Sequence, residues 1–337
     1  MPGRGSLEAH GQKVTARVKV LVTGAGGYLG RHVVSALIRR GHSVRALDLA
    51  TSRMSGAKSL SADVEEVRAD LCSAADLARA CQGVDGVVHL AAKMSGDADS
   101  IVRVATEGTR GLLAAMVECG VGRLILASSL SVYAWSAIDQ LLDEESPLEP
   151  HPELRDAYTI SKLRQEELVR SWQRTGRDLT VLRPAVLWGR GREYPPTIGQ
   201  KIGPFHVLIG AGRQVPLVHV ENCADAFAAV VDGRREGTFN VIDWPEVTVS
   251  QFVRDHLRRS GRFGLRIPVA YGPSLAGASL LHRLAPNHLK RRLPSFVARE
   301  RFAARYKPVR IDGARLFGAV GWRPPLSYEE CLNRTYS

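Results

Sequence analysis

Two hydrophobic rhythms alternate along the first half of the chain. Short apolar runs rich in β-branched residues predict strands over 18–23, 43–47, 64–69, 86–90, 123–128 and 179–182. Between them apolar residues recur at helical spacing. Leu29, Val33, Leu37 and Ile38 mark one face of a helix over 28–40, and Gly41 follows as its natural stop. Further helices are predicted over 73–80, 101–119 and 157–174. Strands that alternate with helices of this length require right-handed crossovers, hence a parallel sheet covered on both faces. The expected fold is α/β, a doubly wound parallel sheet of the Rossmann type.

After Arg183 the rhythm becomes irregular, and proline and glycine recur. This predicts a smaller C-terminal α/β domain for substrate, built from 184–216 and 240–337. The segment 217–239 is expected to return to the dinucleotide-type domain of 18–183. Residues 1–17 are polar and glycine-rich and read as a flexible tail.

Composition changes this picture little. The chain has 337 residues, enough for a well-buried core, and is 45% hydrophobic. It contains no apolar run of the ~18–20 residues that a membrane helix needs. Its N-terminus lacks the apolar centre of a secretion signal. A cytoplasmic protein without a membrane partner is expected. The formal net charge of +12 raises the question of nucleic acid. However, the basic residues are spread along the chain, and no zinc-finger or aromatic RNA-binding signature accompanies them. The densest cluster, Lys290, Arg291 and Arg292, reads as a solvated helix face, so no nucleic-acid partner is expected. Five cysteines, an odd number with no C-x-x-C pair, support neither a metal site nor a disulfide framework.

The first candidate site is Gly24-Ala25-Gly26-Gly27-Tyr28-Leu29-Gly30, which follows the first strand and opens the first helix. Glycines also make ordinary turns. In this context Gly24 permits the tight turn, Gly27 lets backbone approach a diphosphate, and Gly30 allows close helix–sheet packing. The opening of the helix, through Tyr28 and Leu29, offers free amides to phosphate. Asp48 ends the second strand about 20 residues on, where an acid accepts hydrogen bonds from ribose hydroxyls and repels a 2′-phosphate. NAD is therefore expected over NADP, although Arg53 is near enough to hold a 2′-phosphate. Asp70-Leu71 closes the third strand, either as a helix cap or against the adenine amino group. Leu90, Ala91 and Ala92 leave room for cofactor after the fourth strand, and His89 before them reads as a packed core histidine.

The second candidate is Tyr158-Thr159-Ile160-Ser161-Lys162, which puts tyrosine and lysine on one helix face. A chance surface pair has the same spacing. Beside Lys162 and an oxidised nicotinamide, Tyr158 is expected to favour its phenolate and to move a hydroxyl proton. Lys162 also reaches the nicotinamide ribose. Ser129, just past the fifth strand, is expected to hydrogen-bond the reacting oxygen, with Ser131 as the alternative and Ser128 touching cofactor.

Together these residues resemble the extended short-chain dehydrogenase/reductases, also called the NAD-dependent epimerase/dehydratase family. The likeness runs from about 18 to 334. It includes Asp143-Glu144 with Pro147 and Pro150, Arg183-Pro184 with Trp188-Gly189, and Leu217-Val218-His219-Val220-Glu221-Asn222. Phe239-Asn240-Val241 and Leu316-Phe317-Gly318 with Gly321-Trp322 complete it. The resemblance implies Ser129, Tyr158 and Lys162 as catalytic residues, Pro184 beside the cofactor, and a homodimer built on the helices over 101–119 and 157–174.

Departures from the family pattern narrow the expected reaction. Dehydratases of this kind carry an acid just after the serine, where this chain has Leu130 and Ser131. Ala105 replaces the asparagine of N-V-x-G-T, and Pro184-Ala185-Val186 lacks the asparagine that contacts a sugar diphosphate. Val215-Pro216 replaces an Arg-Asp pair; Arg190, Arg192 or Arg213 are candidates to restore that charge. The expected activity is hydride transfer at a secondary alcohol or ketone carbon. Residues 199–208, including Ile202 and Phe205, are apolar enough to line its pocket, and a core or lid segment explains them equally well. A nucleotide-sugar epimerase using the same triad is the second reading, and a non-catalytic NAD sensor the third.

Overall fold

A computed structural model describes residues 16–49, 63–94, 96–174, 176–195, 197–243, 246–286 and 297–337. Most of the expected tail, Arg53 and the cluster Lys290–Arg292 lie outside the described residues. The chain runs through β1 (Lys19–Thr23), α1 (Gly30–Arg39), β2 (Ser43–Asp48), β3 (Val64–Arg68), α2 (Ala74–Cys81), β4 (Gly86–His89) and α3 (Ala98–Glu118). There follow β5 (Arg123–Ala127), β6 (Leu141–Leu142), α4 (Ala157–Gln173), β7 (Asp178–Pro184), β8 (Val186–Trp188), β9 (Gln200–Ile202) and β10 (Phe205–Ile209). Next are β11 (Leu217–His219), α5 (Val220–Gly233), β12 (Gly237–Val241), α6 (Val249–Ser260), β13 (Leu265–Val269) and α7 (Tyr271–Leu284).

Seven parallel strands form one sheet in the order β12-β7-β5-β4-β1-β2-β3. Alternate residues of each strand serve opposite faces, as the two-residue period of a strand requires. Val20, Val22, Val44, Ala46 and Val88 pack with the apolar sides of α1 and α5. Leu21, Leu47, Val87, Leu124 and Leu126 pack with α2, α3 and α4. Burial on both faces explains why these strands read as continuous apolar runs. The doubly wound parallel sheet is the fold that the alternating rhythm predicted.

Several helices start at side-chain caps. The Asp97 carboxylate accepts the Ser100 amide at 2.7 Å, so α3 begins at Ala98, three residues before the apolar pattern announces it. Asp156 accepts the Thr159 amide at 2.9 Å and starts α4 one residue before Tyr158. Beyond the sheet, Leu217–His219 pairs with β8 rather than with the main sheet, and α5 then packs on α1. β9, β10 and β13 form a separate three-stranded sheet. A smaller core there gathers Trp188, Ile198, Leu208, Phe252, Val253 and Leu332.

One buried ionic cluster locks α4 to the sheet. Glu166, one turn beyond Lys162, accepts from Arg183 of β7 through both carboxylate oxygens, at 2.9 and 2.7 Å. It also accepts from the Ser128 hydroxyl at 2.6 Å and from Arg170 at 2.9 Å. Burial alone would raise its pKa. The bonds and charge of Arg183, with help from Ser128 and Arg170, instead hold it below the usual carboxylate range. Arg183 lies over the Tyr133 ring at 4.6 Å, and the Tyr133 hydroxyl donates to Asn240 of β12 at 2.8 Å. Removing one member leaves a buried charge without its partner. Glu166→Ala is therefore expected to destabilise the fold by about 3–5 kcal/mol. Urea unfolding would measure this, and a midpoint unchanged from the parent would contradict the locking role.

Candidate functional site

A cavity of about 1420 Å³ opens at the carboxyl ends of the sheet strands. Ligands of open parallel sheets sit in that position. Every position singled out in the sequence for cofactor or catalysis lines it: Gly24, Gly27, Tyr28, Leu29, Gly30, Asp48, Asp70, Leu71, Leu90, Ala91, Ala92, Ser128, Ser129, Tyr158, Lys162 and Pro184.

The glycine turn is built tightly. Gly24 has φ +72°, and a Cβ there would lie 2.8 Å from the Ala91 Cα. A Cβ on Gly30 would lie 2.0 Å from the Gly24 carbonyl oxygen. Both positions exclude side chains because backbone already occupies the space. Gly27 differs: a Cβ there would meet only the Gly24 oxygen, at 3.1 Å, and the residue is exposed. A side chain at Gly27 would fill the cradle at the helix opening. α1 itself begins with no side-chain cap. Asp48 braces this turn, accepting the Gly26 amide at 2.6 Å and the Leu49 amide at 2.7 Å. Asp70 accepts the Cys72 amide at 2.9 Å, while Ser73 is the cap of α2. Asp70 therefore shapes the turn before the helix and is not its cap.

At the other end of the cavity stand the serines, Tyr158 and Lys162. The Ser128 hydroxyl is committed to Glu166. Ser129 accepts the Ser131 amide at 3.1 Å and hydrogen-bonds Tyr158. The Ser131 hydroxyl is buried without a partner. Burial pushes the Tyr158 phenol above its ordinary pKa of 10.0, against the opposing hydrogen bond from Ser129. In the protein alone Tyr158 is therefore a phenol, with Lys162 Nζ 5.9 Å from its ring centre; the expected phenolate belongs to a site that also holds an oxidised nicotinamide. Lys162 is itself buried, and burial pulls it down to about 8 against the charge of Glu166.

Lys162 donates to the Ala127 carbonyl at 2.7 Å and to Gln165 Oε1 at 3.0 Å. The Gln165 amide donates to Thr109 Oγ1 at 3.0 Å. Its Nε2 is also 3.2 Å from His89 Nε2. His89 completes the row against Thr23 Oγ1 at 2.7 Å, and burial with the Lys162 charge pushes it down to about 3, so it is neutral. Sequence reading missed Gln165, and met Thr109 only as the last residue of the segment that opens with Ala105. Gln165 gave no signal among the other polar residues of α4.

Other expectations change. Residues 199–208 do not line this cavity. Ile202 is 63% exposed and lies on a hairpin of the three-stranded sheet, facing solvent. The apolar wall comes instead from Met94, Val104, Leu130, Trp135, Leu187, Pro195 and Ala304. Of the three arginines considered as replacement charge, only Arg192 reaches the cavity. Arg213 is buried and donates to the Ile209 and Gln214 carbonyls at 3.2 and 3.4 Å. Arg155, Arg301 and Arg305, none of them anticipated, also line the wall. Among the described residues no cluster of His, Cys, Asp or Glu could hold a metal, and the five cysteines are free. No described helix is long and apolar enough to cross a membrane.

Residues 20–241 match the model of the NAD dependent epimerase/dehydratase family. The chain is 30% identical over 249 residues to the N-acetyl-alpha-D-glucosaminyl-diphospho-ditrans,octacis-undecaprenol 4-epimerase of Escherichia coli O157:H7, covering 70% of each chain. It is 30% identical over 214 residues to the 2-alkyl-3-oxoalkanoate reductase of Stenotrophomonas maltophilia, covering 61% of this chain and 63% of that one. It thus spans less than two thirds of the reductase. Among solved structures, the UDP-glucose 4-epimerase of Thermus thermophilus in complex with NAD superposes with a TM-score of 0.68 at 21% identity. That comparison covers 94% of this chain and 97% of the epimerase, and shows a shared fold. The family match over the sheet, with the glycine turn, Tyr158 and Lys162 on one cavity, places this chain in the NAD dependent epimerase/dehydratase family, the extended short-chain dehydrogenase/reductases.

Proposed function

We propose that this chain is an NAD-dependent oxidoreductase acting at a secondary alcohol or ketone carbon. The observation that carries this reading is the convergence of Ser129, Tyr158 and Lys162 on the cavity that holds the glycine turn. The turn fits a dinucleotide: the cradle at Gly27 is open, and Asp48 stands at the end of β2 beside it. Gly24, Gly27, Tyr28, Leu29 and Gly30 would hold the diphosphate, and Asp48 the adenine ribose. When bound, NADH supplies the reducing equivalent for the carbonyl carbon.

The chain's own residues do the rest. Ser129 lines the cavity beside Tyr158, acts on its phenol and would share the substrate oxygen with it. Tyr158, kept protonated by burial, is poised to donate its hydroxyl proton to that oxygen. Lys162, anchored by Ala127 and Gln165, places a positive charge beneath the site. Leu130 and Ser131 stand where water elimination would need an acid, which argues against dehydration. Epimerisation by the same triad is the second reading, favoured by the identity to the undecaprenol-linked sugar 4-epimerase. Net NADH oxidation with a ketone substrate separates the two, because epimerisation returns the cofactor unchanged.

Tyr158→Phe is expected to lower kcat by about 10²–10⁴-fold while NADH binding stays intact. Undiminished turnover would refute the assigned proton donor. Ketone reduction needs Lys162 charged and Tyr158 protonated. The rate should therefore hold below about pH 8 and fall above it, as Lys162 loses its proton. A rate that climbs between pH 7 and 9 would contradict this assignment. NADH should bind at least about tenfold more tightly than NADPH, and Asp48→Asn should narrow the gap. Titration of both cofactors by fluorescence checks the preference, and tighter NADPH binding would overturn it.

A further inference from the structure

We propose that Arg192 closes over the cofactor's diphosphate, carried there by a glycine turn that packs on Tyr28. This inference rests on the NAD reading of the cavity. Nothing in the sequence links Arg192 to the first glycine turn, about 160 residues earlier; the connection exists only in the folded chain.

The geometry begins at Gly189, the residue after β8. Its φ is +139°, and a Cβ there would lie 2.9 Å from the Tyr28 hydroxyl and 3.1 Å from His219 Nε2. Only glycine lets this backbone lie against Tyr28. The chain then reverses at once: Gly189 and Arg192 form an antiparallel bridge, with the Arg192 amide donating to the Gly189 carbonyl at 2.8 Å. Gly191, at φ +84°, makes the reversal, and its amide is held by Glu193 at 2.7 Å. The product is a short, well-tied loop whose fourth residue is delivered to one place. There the Arg192 guanidinium stands 4.5 Å from the centre of the Tyr28 ring.

The charges around Tyr28 do not cancel. Arg31 also lies near the ring, at 5.4 Å. Two acids act on the same phenol, Glu193 and Glu221. Glu193 bonds the Gly191 amide, and Glu221 is paired with Arg334 at 2.6 Å. Among the described residues Arg192 has no carboxylate partner. Arg192 also lines the cavity and its charge acts on Tyr158, so it stands between the glycine turn and the catalytic phenol. A dinucleotide reaching from Asp48 to Tyr158 must pass its diphosphate through that interval. Cation and phosphate there form charge-assisted hydrogen bonds.

The test measures binding alone, on the ligand-free full chain. NADH and ADP-ribose both carry the diphosphate; adenosine, measured by displacement of NADH, does not. For Arg192→Ala, Kd for NADH and for ADP-ribose should each rise about tenfold, with adenosine unchanged. Arg192→Lys should recover part of the loss, since lysine keeps the charge but not the planar fork. Gly189→Ala, which displaces the turn, should weaken NADH in the same direction. Added salt should weaken NADH binding more steeply for the parent than for Arg192→Ala. An NADH Kd within about twofold of the parent in Arg192→Ala would overturn the proposal. An equal loss of adenosine affinity would do the same, by showing that the loop supports the fold of the site and not the phosphates. If the parent chain fails to bind NADH at all, the cofactor reading itself falls; if the parent binds and Arg192→Ala matches it, only this inference does.

Discussion

The site depends on a single buried carboxylate. Glu166 holds Arg183 on β7, Ser128 at the end of β5 and Arg170 on its own helix. Through these bonds α4 is set at one height and one rotation against the sheet. Tyr158 and Lys162 lie on the same helix, two turns and one turn earlier. Ser129 is the next residue after Ser128. The carboxylate therefore fixes the relative positions of all three groups without touching a substrate. An apolar residue at that point would pack but would not discriminate between neighbouring registers of the helix.

A similar division holds elsewhere in the family pattern. Asn240 and Glu144 read as motif residues, but the structure uses them to tie segments together. Asn240 receives the Tyr133 hydroxyl, and its amide is accepted by Glu144 at 2.7 Å. His219 is buried against Trp188, with ring centres 5.1 Å apart. These residues do not line the cavity; they hold together the segments behind it. The sequence-predicted residues that face it lie at strand ends, on the opening of α1 and on the first turns of α4. Burial also sets their protonation: it keeps Tyr158 a phenol and brings Lys162 into the range where it can lose its charge near neutrality.

The cavity is closed by parts of the chain outside the family match. Residues 20–241 carry the glycine turn, Asp48, Tyr158 and Lys162, whereas Arg301, Ala304 and Arg305 come from beyond it. Arg301 donates to the Leu154 carbonyl at 3.2 Å, just before the cap of α4. The more irregular half of the chain thus adds Arg301, Ala304 and Arg305 to a wall that Met94, Val104, Leu130 and Trp135 supply from the first half.

Much of the site was legible in the sequence because its signals are local. A glycine turn after a strand, an acid at the next strand end and a Tyr–Lys pair one helical turn apart each depend on neighbours within a few residues. Backbone geometry alone brings strand ends to the same edge of a parallel sheet, so their meeting follows from the fold class. The rest required the tertiary structure. Glu166 and Gln165 look like ordinary polar helix residues until their burial is known. The apolar stretch around Ile202 and Phe205 looked like a pocket wall, yet hydrophobicity does not say which side of a hairpin faces a cavity. The protonation of Tyr158 turned on desolvation, a property of everything packed around it. Local pattern determined which backbone elements form and where their ends lie; only the packed chain decided which distant side chains those ends would face, because burial and charge depend on neighbours that the linear order does not reveal.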